Sequence, residues 1–184
     1  GTHPNALCHV QIAPRLRQGT TPLMRPLVIG ITCQFDPDAG NRAASPMNGT
    51  HRMPDAYPHA VRVAGGIPML LPTTTDADSI RAYVAAVDGL ILSGGGDIAP
   101  EFMRMEPDPG LGPVDPIRDQ FELDLTTAAI RAELPLLAIC KGTQILNVAM
   151  GGSVIQDIDP GRPGAVQHAQ RAPGWHGTHT VEFE

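Results

Sequence analysis

The chain has 184 residues, a length typical of one globular domain, and 42% of them are hydrophobic, which argues against a disordered protein. Its 13 Lys and Arg residues against 19 Asp and Glu residues give a net charge of −6. Nucleic-acid binding usually needs a basic face, so we expect no nucleic-acid partner. No run approaches the roughly 18–20 apolar residues of a membrane helix, so we expect no membrane partner either.

The sequence divides into an irregular start and a regular remainder. Residues 1–24 show no hydrophobic periodicity and are expected to form a flexible leader or an artificial extension, and residues 25–184 are expected to form one domain. In that domain short apolar runs alternate with segments of helical character. The predicted strands are 27–31, 67–71, 89–92 and 136–139, and the predicted helices are 52–64, 76–86, 115–132 and 142–150. This alternation predicts an α/β protein with a mostly parallel central sheet and helices on both faces.

The three cysteines cannot all pair, and they do not have the spacing of a zinc site. We therefore expect a cytoplasmic protein in a reducing compartment, with no metal and no cofactor. Cys8 lies in the predicted leader and Cys33 follows the first predicted strand, so both are interpreted as inert.

Cys140 has a different setting, because it leaves a predicted buried strand and immediately begins a predicted helix, with small residues Ala138 and Gly142 on either side. This pattern is typical of a nucleophile elbow, with cysteine in place of serine. A helix N-terminus favours the thiolate, and Lys141 is expected to add a positive charge close by. The alternative is that Cys140 is only a small core hydrophobe, as most buried cysteines are.

The second special loop is the glycine run that follows the third predicted strand, Gly94, Gly95 and Gly96. A glycine-rich turn is weak evidence alone, and no Gly-Lys-Ser/Thr follows that would indicate a phosphate loop. Ligands of parallel sheets bind at the carboxyl ends of the strands, so we expect this loop to meet Cys140 at one edge. The backbone N–H groups of Gly95 or Gly96 and of Lys141 would then form an oxyanion hole.

Three segments together resemble a known family. They are SGGGDIAP (residues 93–100), DPIRD (115–119) and PLLAICKGTQILNVAMGGS (135–153). They look like the gamma-glutamyl hydrolases of the class I glutamine amidotransferase-like superfamily, peptidase family C26. The resemblance implies a flavodoxin-like, three-layer α/β/α fold and a Cys–His–Glu triad with Cys140 as nucleophile. It also implies substrate contacts from Arg118, Gln144 and His179, and a small-molecule gamma-glutamyl substrate. A homodimer is a further candidate assembly.

The sequence also departs from the family pattern. Relatives usually have arginine at the position of Lys141, and their base and its partner lie in a late His-x-Glu segment that is absent before Glu184. The chain is therefore expected to lack the usual C-terminal part of the domain and to turn over substrate poorly. The only nearby substitutes for the base are His168, His176 and His179.

Other titratable residues are given structural roles. His51 and His59 are expected on the surface, and Glu122 and Asp124 on the solvated face of the third predicted helix.

The leading functional hypothesis is a cysteine hydrolase that cleaves gamma-glutamyl amides through a thioester on Cys140. A catalytically incomplete domain that binds gamma-glutamyl-like ligands or a partner is the second hypothesis. A glutaminase that feeds an amidotransferase is the third, and a redox thiol is a distant fourth.

Overall fold

A four-stranded parallel sheet forms the centre of the computed structural model, which describes residues 25–36, 49–158, 171–173, 176–178 and 180. The elements in chain order are β1 (Val28–Thr32), β2 (Gln34–Asp36), β3 (Thr50–Arg52), α1 (Ala56–Val63), β4 (Ile67–Leu71), α2 (Ala77–Ala86), β5 (Gly89–Leu92), a 3-10 turn (Pro100–Met103), α3 (Pro116–Arg131), β6 (Leu136–Ala138) and α4 (Lys141–Ala149). The sheet order is β4-β1-β5-β6, and β2 pairs with β3 in a separate antiparallel hairpin.

The sheet carries helices on both faces. On one face Leu90 and Leu92 of β5 pack with Phe121 and Leu125 of α3, and α2 and α4 complete this core. On the other face a smaller cluster joins Ile31, Val61 and Ile91, which places α1 over β1 and β5. The arrangement confirms the predicted three-layer α/β fold with a mostly parallel sheet.

The strand order turns at β1, because β4 lies on one side of it and β5 on the other. Ligand sites in open parallel sheets form at the carboxyl edge near such a reversal. The segments that leave the sheet at this edge include Cys33 and Gln34 after β1, the glycine loop after β5, and Cys140 after β6.

The predicted elements are confirmed with bounds within one residue of the observed ones, except for the start of the first helix. The predicted strands 67–71 and 89–92 have the observed bounds, and Asp76 caps α2 by accepting the N–H of Ser79 at 2.7 Å. The first predicted helix, however, begins at Ala56 and not near residue 52. Residues 50–52 pair with β2 instead, and Pro54 disfavours helical backbone in the residue before it.

Two further observations hold for the described residues. No helix among them is long and apolar enough to cross a bilayer. No three of their His, Cys, Asp and Glu side chains are arranged to hold a metal ion. The predicted leader, residues 1–24, lies outside the described part of the chain.

Candidate active site

Cys140 occupies a strained turn between β6 and α4. Its backbone angles are φ 53° and ψ −114°, a combination that non-glycine residues rarely adopt and that often marks a functional site. Gly142 makes the turn possible: a Cβ there would lie 2.8 Å from Leu92 Cβ and closer still to the Leu92 carbonyl oxygen. Cys140 is exposed, so the interpretation as a core hydrophobe is wrong, and the structure has the elbow geometry that the sequence predicts.

The glycine loop meets Cys140 at the carboxyl edge, as expected. A Cβ placed on Gly94 would lie 3.4 Å from Cys140 Cβ and 3.8 Å from Cys140 Sγ. A cavity of about 510 Å³ opens over this edge. Its lining includes Gln34, Phe35, Pro54, Tyr57, Gly94, Gly95, Gly96, Pro113, Val114, Asp115, Arg118, Cys140 and Lys141.

The glycine loop carries backbone N–H groups beside the Cys140 cavity. The N–H of Gly94 donates to the Tyr57 hydroxyl at 2.9 Å, and the N–H of Asp97 donates to the Pro113 carbonyl at 3.0 Å. For the N–H groups of Gly95, Gly96 and Lys141, the described residues supply no hydrogen-bond acceptor. These three residues line the cavity with Cys140, so they are the candidates for an oxyanion hole.

Arg118 forms hydrogen bonds to the start of the glycine loop. It is 3% exposed, and its Nη2 donates to the Gly94 carbonyl at 3.0 Å, the Ser93 carbonyl at 3.2 Å and Ser93 Oγ at 3.0 Å. A Cβ on Gly95 would lie 2.5 Å from Arg118 Nη1, so a larger residue at position 95 would have to displace the guanidinium. The substrate contact that the resemblance implies for Arg118 stays a prediction. Arg118 lines the cavity, and the hydrogen bonds it makes here support the loop.

Glu122 is buried, so its predicted place on a solvated helix face is wrong, whereas Asp124 is exposed as predicted. Glu122 Oε1 accepts from Arg118 Nε at 3.0 Å, Arg118 Nη2 at 2.9 Å and Thr32 Oγ1 at 2.6 Å. Its Oε2 is buried without a hydrogen-bond partner within the described part of the chain. Burial raises the pKa of Glu122, and the charges of Arg118 and Lys141 and the hydrogen bond from Thr32 oppose that shift.

Lys141 supplies no unpaired charge to the thiol, which corrects the expectation from sequence. Its side chain is 2% exposed, and Nζ contacts Asp119 Oδ1 at 2.6 Å. Asp119 is itself buried, and its Oδ2 accepts the N–H of Ala99 at 2.9 Å. The ammonium therefore belongs to a buried ion pair with Asp119. Lys141 is next to Cys140 because it is the first residue of α4.

Gln144 is half-buried and lines a separate cavity of about 160 Å³ with Asp97 and Leu111, outside the cavity that Cys140 lines. His168 and His179 lie outside the described residues, so their predicted roles stay predictions. His176 is exposed. No histidine from the described part of the chain lines the Cys140 cavity.

The remaining histidines and cysteines agree with the sequence interpretation where they are described. His51 and His59 are exposed. The ring of His51 packs against Phe35 with 4.9 Å between centroids. Cys33 is buried, and burial raises the pKa of its thiol. Cys8 lies outside the described residues.

Sequence reasoning missed one wall of the cavity, formed by Gln34, Phe35, Pro54 and Tyr57. Gln34 and Phe35 could have been found, because they follow a predicted strand at the carboxyl edge. Tyr57 could not, because it lies in a helix whose packing brings it to a loop 37 residues away.

Comparison with known proteins finds several relatives of this chain. The chain is 38% identical over 132 residues to protein NtpR of Enterococcus hirae, covering 71% of this chain and 54% of that protein. It is 39% identical over 108 residues to a putative glutamine amidotransferase-like protein, YvdE, of Lactococcus lactis, covering 58% and 45%. It is 32% identical over 110 residues to the gamma-glutamyl-gamma-aminobutyrate hydrolase PuuD of Escherichia coli K12, covering 57% and 41%.

The chain thus spans about half the length of the curated relatives it matches. The Peptidase C26 family matches residues 27–184, which include every described element of the fold and the whole Cys140 cavity. Two of these relatives are named as an amidotransferase-like protein and a hydrolase, and the chain belongs to the peptidase C26 family.

Proposed function

We propose that this protein is a cysteine hydrolase of gamma-glutamyl amides. One observation carries the proposal: an exposed cysteine at a strained helix start shares a cavity with backbone N–H groups of Gly95, Gly96 and Lys141 that have no acceptor among the described residues. A nucleophile beside preorganised donors is the arrangement that acyl transfer requires.

The proposed reaction has two steps. Cys140 Sγ attacks the gamma-carbonyl carbon, a C–S bond forms, and the carbonyl oxygen becomes an oxyanion that accepts hydrogen bonds from the N–H groups of Lys141 and of Gly95 or Gly96. The C–N bond then breaks, the thiol proton leaves with the amine, and a glutamyl thioester remains. Water hydrolyses this thioester to glutamate and restores the thiol.

The choice of a gamma-glutamyl substrate draws its support from the relatives, one of which is named for hydrolysis of gamma-glutamyl-gamma-aminobutyrate. The nucleophile and the candidate donors are described parts of this chain. The proposal specifies the leaving amine only by its class, a primary amine bonded to the gamma-carbonyl carbon of glutamate.

The test is acylation by gamma-glutamyl-4-nitroanilide, followed by release of 4-nitroaniline and by intact mass after acid quenching. We expect 4-nitroaniline release and a glutamyl mass increment that maps to Cys140. Cys140→Ala should abolish both signals, and Cys33→Ala, which removes a buried thiol, should keep them. A wild-type protein that iodoacetamide alkylates at Cys140, but that neither acquires the glutamyl increment nor releases 4-nitroaniline, would refute the proposal.

A non-catalytic ligand-binding domain is the second candidate. The observation that favours it is that no histidine of the described residues lines the Cys140 cavity. General acid–base catalysis is worth roughly 10²–10⁴-fold, so a site without it would bind far better than it reacts. Protection of Cys140 from iodoacetamide by glutamine, without 4-nitroaniline release, would support this candidate. Ammonia release from glutamine would instead support a glutaminase.

A further inference from the structure

Glu122 is close to the Cys140 site but does not line its cavity. Its side chain has 0% exposure, so it cannot touch a substrate. Its Oε1 nevertheless accepts hydrogen bonds from Nε and Nη2 of Arg118, and the same Nη2 donates to the glycine loop. Any effect of Glu122 on the reaction must therefore pass through Arg118. The reaction proposed above gives Glu122 no role.

Two consecutive carbonyl groups at the start of the glycine loop point at the same nitrogen atom. Arg118 Nη2 donates to the Ser93 carbonyl at 3.2 Å and to the Gly94 carbonyl at 3.0 Å. In a planar trans peptide the C=O and N–H bonds point in opposite directions, and no peptide bond of the described residues is cis. The N–H groups of the same two peptides, those of Gly94 and Gly95, therefore point away from Nη2.

These two N–H groups differ in what they meet. The N–H of Gly94 donates to the Tyr57 hydroxyl at 2.9 Å, and Tyr57 lies in the wall of the Cys140 cavity. Gly95 lines the same cavity, and the described residues supply no acceptor for its N–H. Successive N–H groups that point the same way form a site for a negatively charged oxygen. Of Gly95 and Gly96, Gly95 is the one whose N–H the guanidinium orients.

The guanidinium can hold both carbonyls only while its own position is fixed. Its N–H groups form a rigid, planar fork. Two of them, on Nε and Nη2, donate to Glu122 Oε1 at 3.0 and 2.9 Å, which sets the plane of the fork. Thr32 Oγ1 fixes the carboxylate in turn by donating to Oε1 at 2.6 Å. Both charged side chains are buried, so water does not compete for these hydrogen bonds.

We infer that Glu122 is a positioning residue for the proposed reaction. By fixing the Arg118 guanidinium, it orients the Gly94–Gly95 peptide so that the N–H of Gly95 donates to the oxyanion formed on the substrate carbonyl. The inference rests on the proposed function, and it holds whether or not Arg118 also contacts the substrate. Donors that are already oriented accelerate acyl transfer because they need no reorganisation during the reaction. Loss of Glu122 should therefore slow acylation without changing the thiol itself.

The test compares Glu122→Gln and Glu122→Met with Thr126→Val in acylation by gamma-glutamyl-4-nitroanilide. Glutamine keeps the shape and one acceptor but has no charge, so the rate at saturating substrate should fall about tenfold. Methionine has no such acceptor, and the rate should fall about 10²-fold, as for the loss of one oxyanion donor. Thr126 is the matched control: it is buried one turn farther along α3, and its Oγ1 has no hydrogen-bond partner within the described part of the chain. Thr126→Val should keep the wild-type rate.

Two further measurements separate positioning from a general structural role. The substrate concentration at half-maximal rate should stay the same in all three variants, because Glu122 does not touch the cavity. The rate of iodoacetamide alkylation at Cys140 should also stay the same, because alkylation forms no oxyanion. Circular dichroism checks that each variant is folded. If Glu122→Met is not, the comparison of Glu122→Gln with Thr126→Val decides.

Each other result is decisive. Equal acylation rates in Glu122→Gln and Thr126→Val would refute the inference and leave the proposed function intact. A loss of alkylation in parallel with acylation would show that Glu122 supports the whole site and not one donor, which also overturns the inference. If iodoacetamide alkylates the wild-type protein, but the substrate neither acylates it nor releases 4-nitroaniline, the proposed function fails and the inference fails with it.

Discussion

Replacing Arg118 by methionine tests whether the buried ion pair stabilises the fold beneath the site. The guanidinium donates twice to Glu122 Oε1, at 3.0 and 2.9 Å, and three more times to Ser93 and Gly94. Both charged side chains are almost fully excluded from water, with 3% and 0% exposure. Methionine fills a similar length with apolar atoms and removes all five hydrogen bonds.

Arg118→Met should lower the free energy of unfolding because the carboxylate of Glu122 stays buried. Removing one partner of a buried pair typically destabilises a protein by about 3–5 kcal/mol, because the other charge stays buried without compensation. Against a total stability of roughly 5–15 kcal/mol, that is a large fraction. The pair itself is worth less, so replacing both partners should recover part of the loss. Arg118→Met combined with Glu122→Gln should therefore be more stable than Arg118→Met alone.

The assay is urea unfolding at pH 7, followed by far-ultraviolet circular dichroism. Arg131→Met is the control, since Arg131 lies exposed in the last turn of the same helix, and it should change stability by less than about 0.5 kcal/mol. The reasoning would be refuted if Arg118→Met cost less than about 1 kcal/mol. It would also be refuted if the two substitutions were additive, because residues that share a buried ion pair should show coupling.

Two further predictions concern α3 and α4. Burial raises the pKa of Glu122, so the folded state keeps that proton to higher pH than the unfolded state, and this contribution to stability is lost as pH rises above the ordinary glutamate value. The melting temperature of wild type relative to Glu122→Gln should therefore fall from pH 4 to pH 8. A rise of this difference over the same range would contradict the reasoning. Asp124→Asn, at an exposed position of the same helix, is the control. Gly142→Ala should lower stability by about 1–3 kcal/mol in thermal unfolding, because its Cβ would meet the Leu92 backbone. Gly177→Ala, with open space around it, should have little effect, and equal melting temperatures for the two variants would contradict the clash.

Local sequence determined the four strands of the parallel sheet, the four helices and the position of the candidate nucleophile. The runs 67–71 and 89–92 are apolar and end at loops with proline or glycine, so their bounds could be read directly. The turn at Cys140 could also be predicted, because a strand, a cysteine and the closely packed Gly142 follow one another in the chain. The parallel topology then places everything that follows a strand at one edge, which predicts the meeting of Cys140 with the glycine loop.

Tertiary structure decided the polar surroundings of the thiol. Arg118 and Glu122 are spaced i and i+4, and such ion pairs are also common on exposed helix faces. The local sequence does not show that these two side chains contact Thr32 and the glycine loop. The same holds for the ammonium of Lys141, which pairs with Asp119, and for Tyr57, which joins Gly94 across 37 residues. Hydrophobic periodicity reports which side chains avoid water. Whether a charged side chain can be buried depends on partners from distant segments, and only the packed fold brings those partners together.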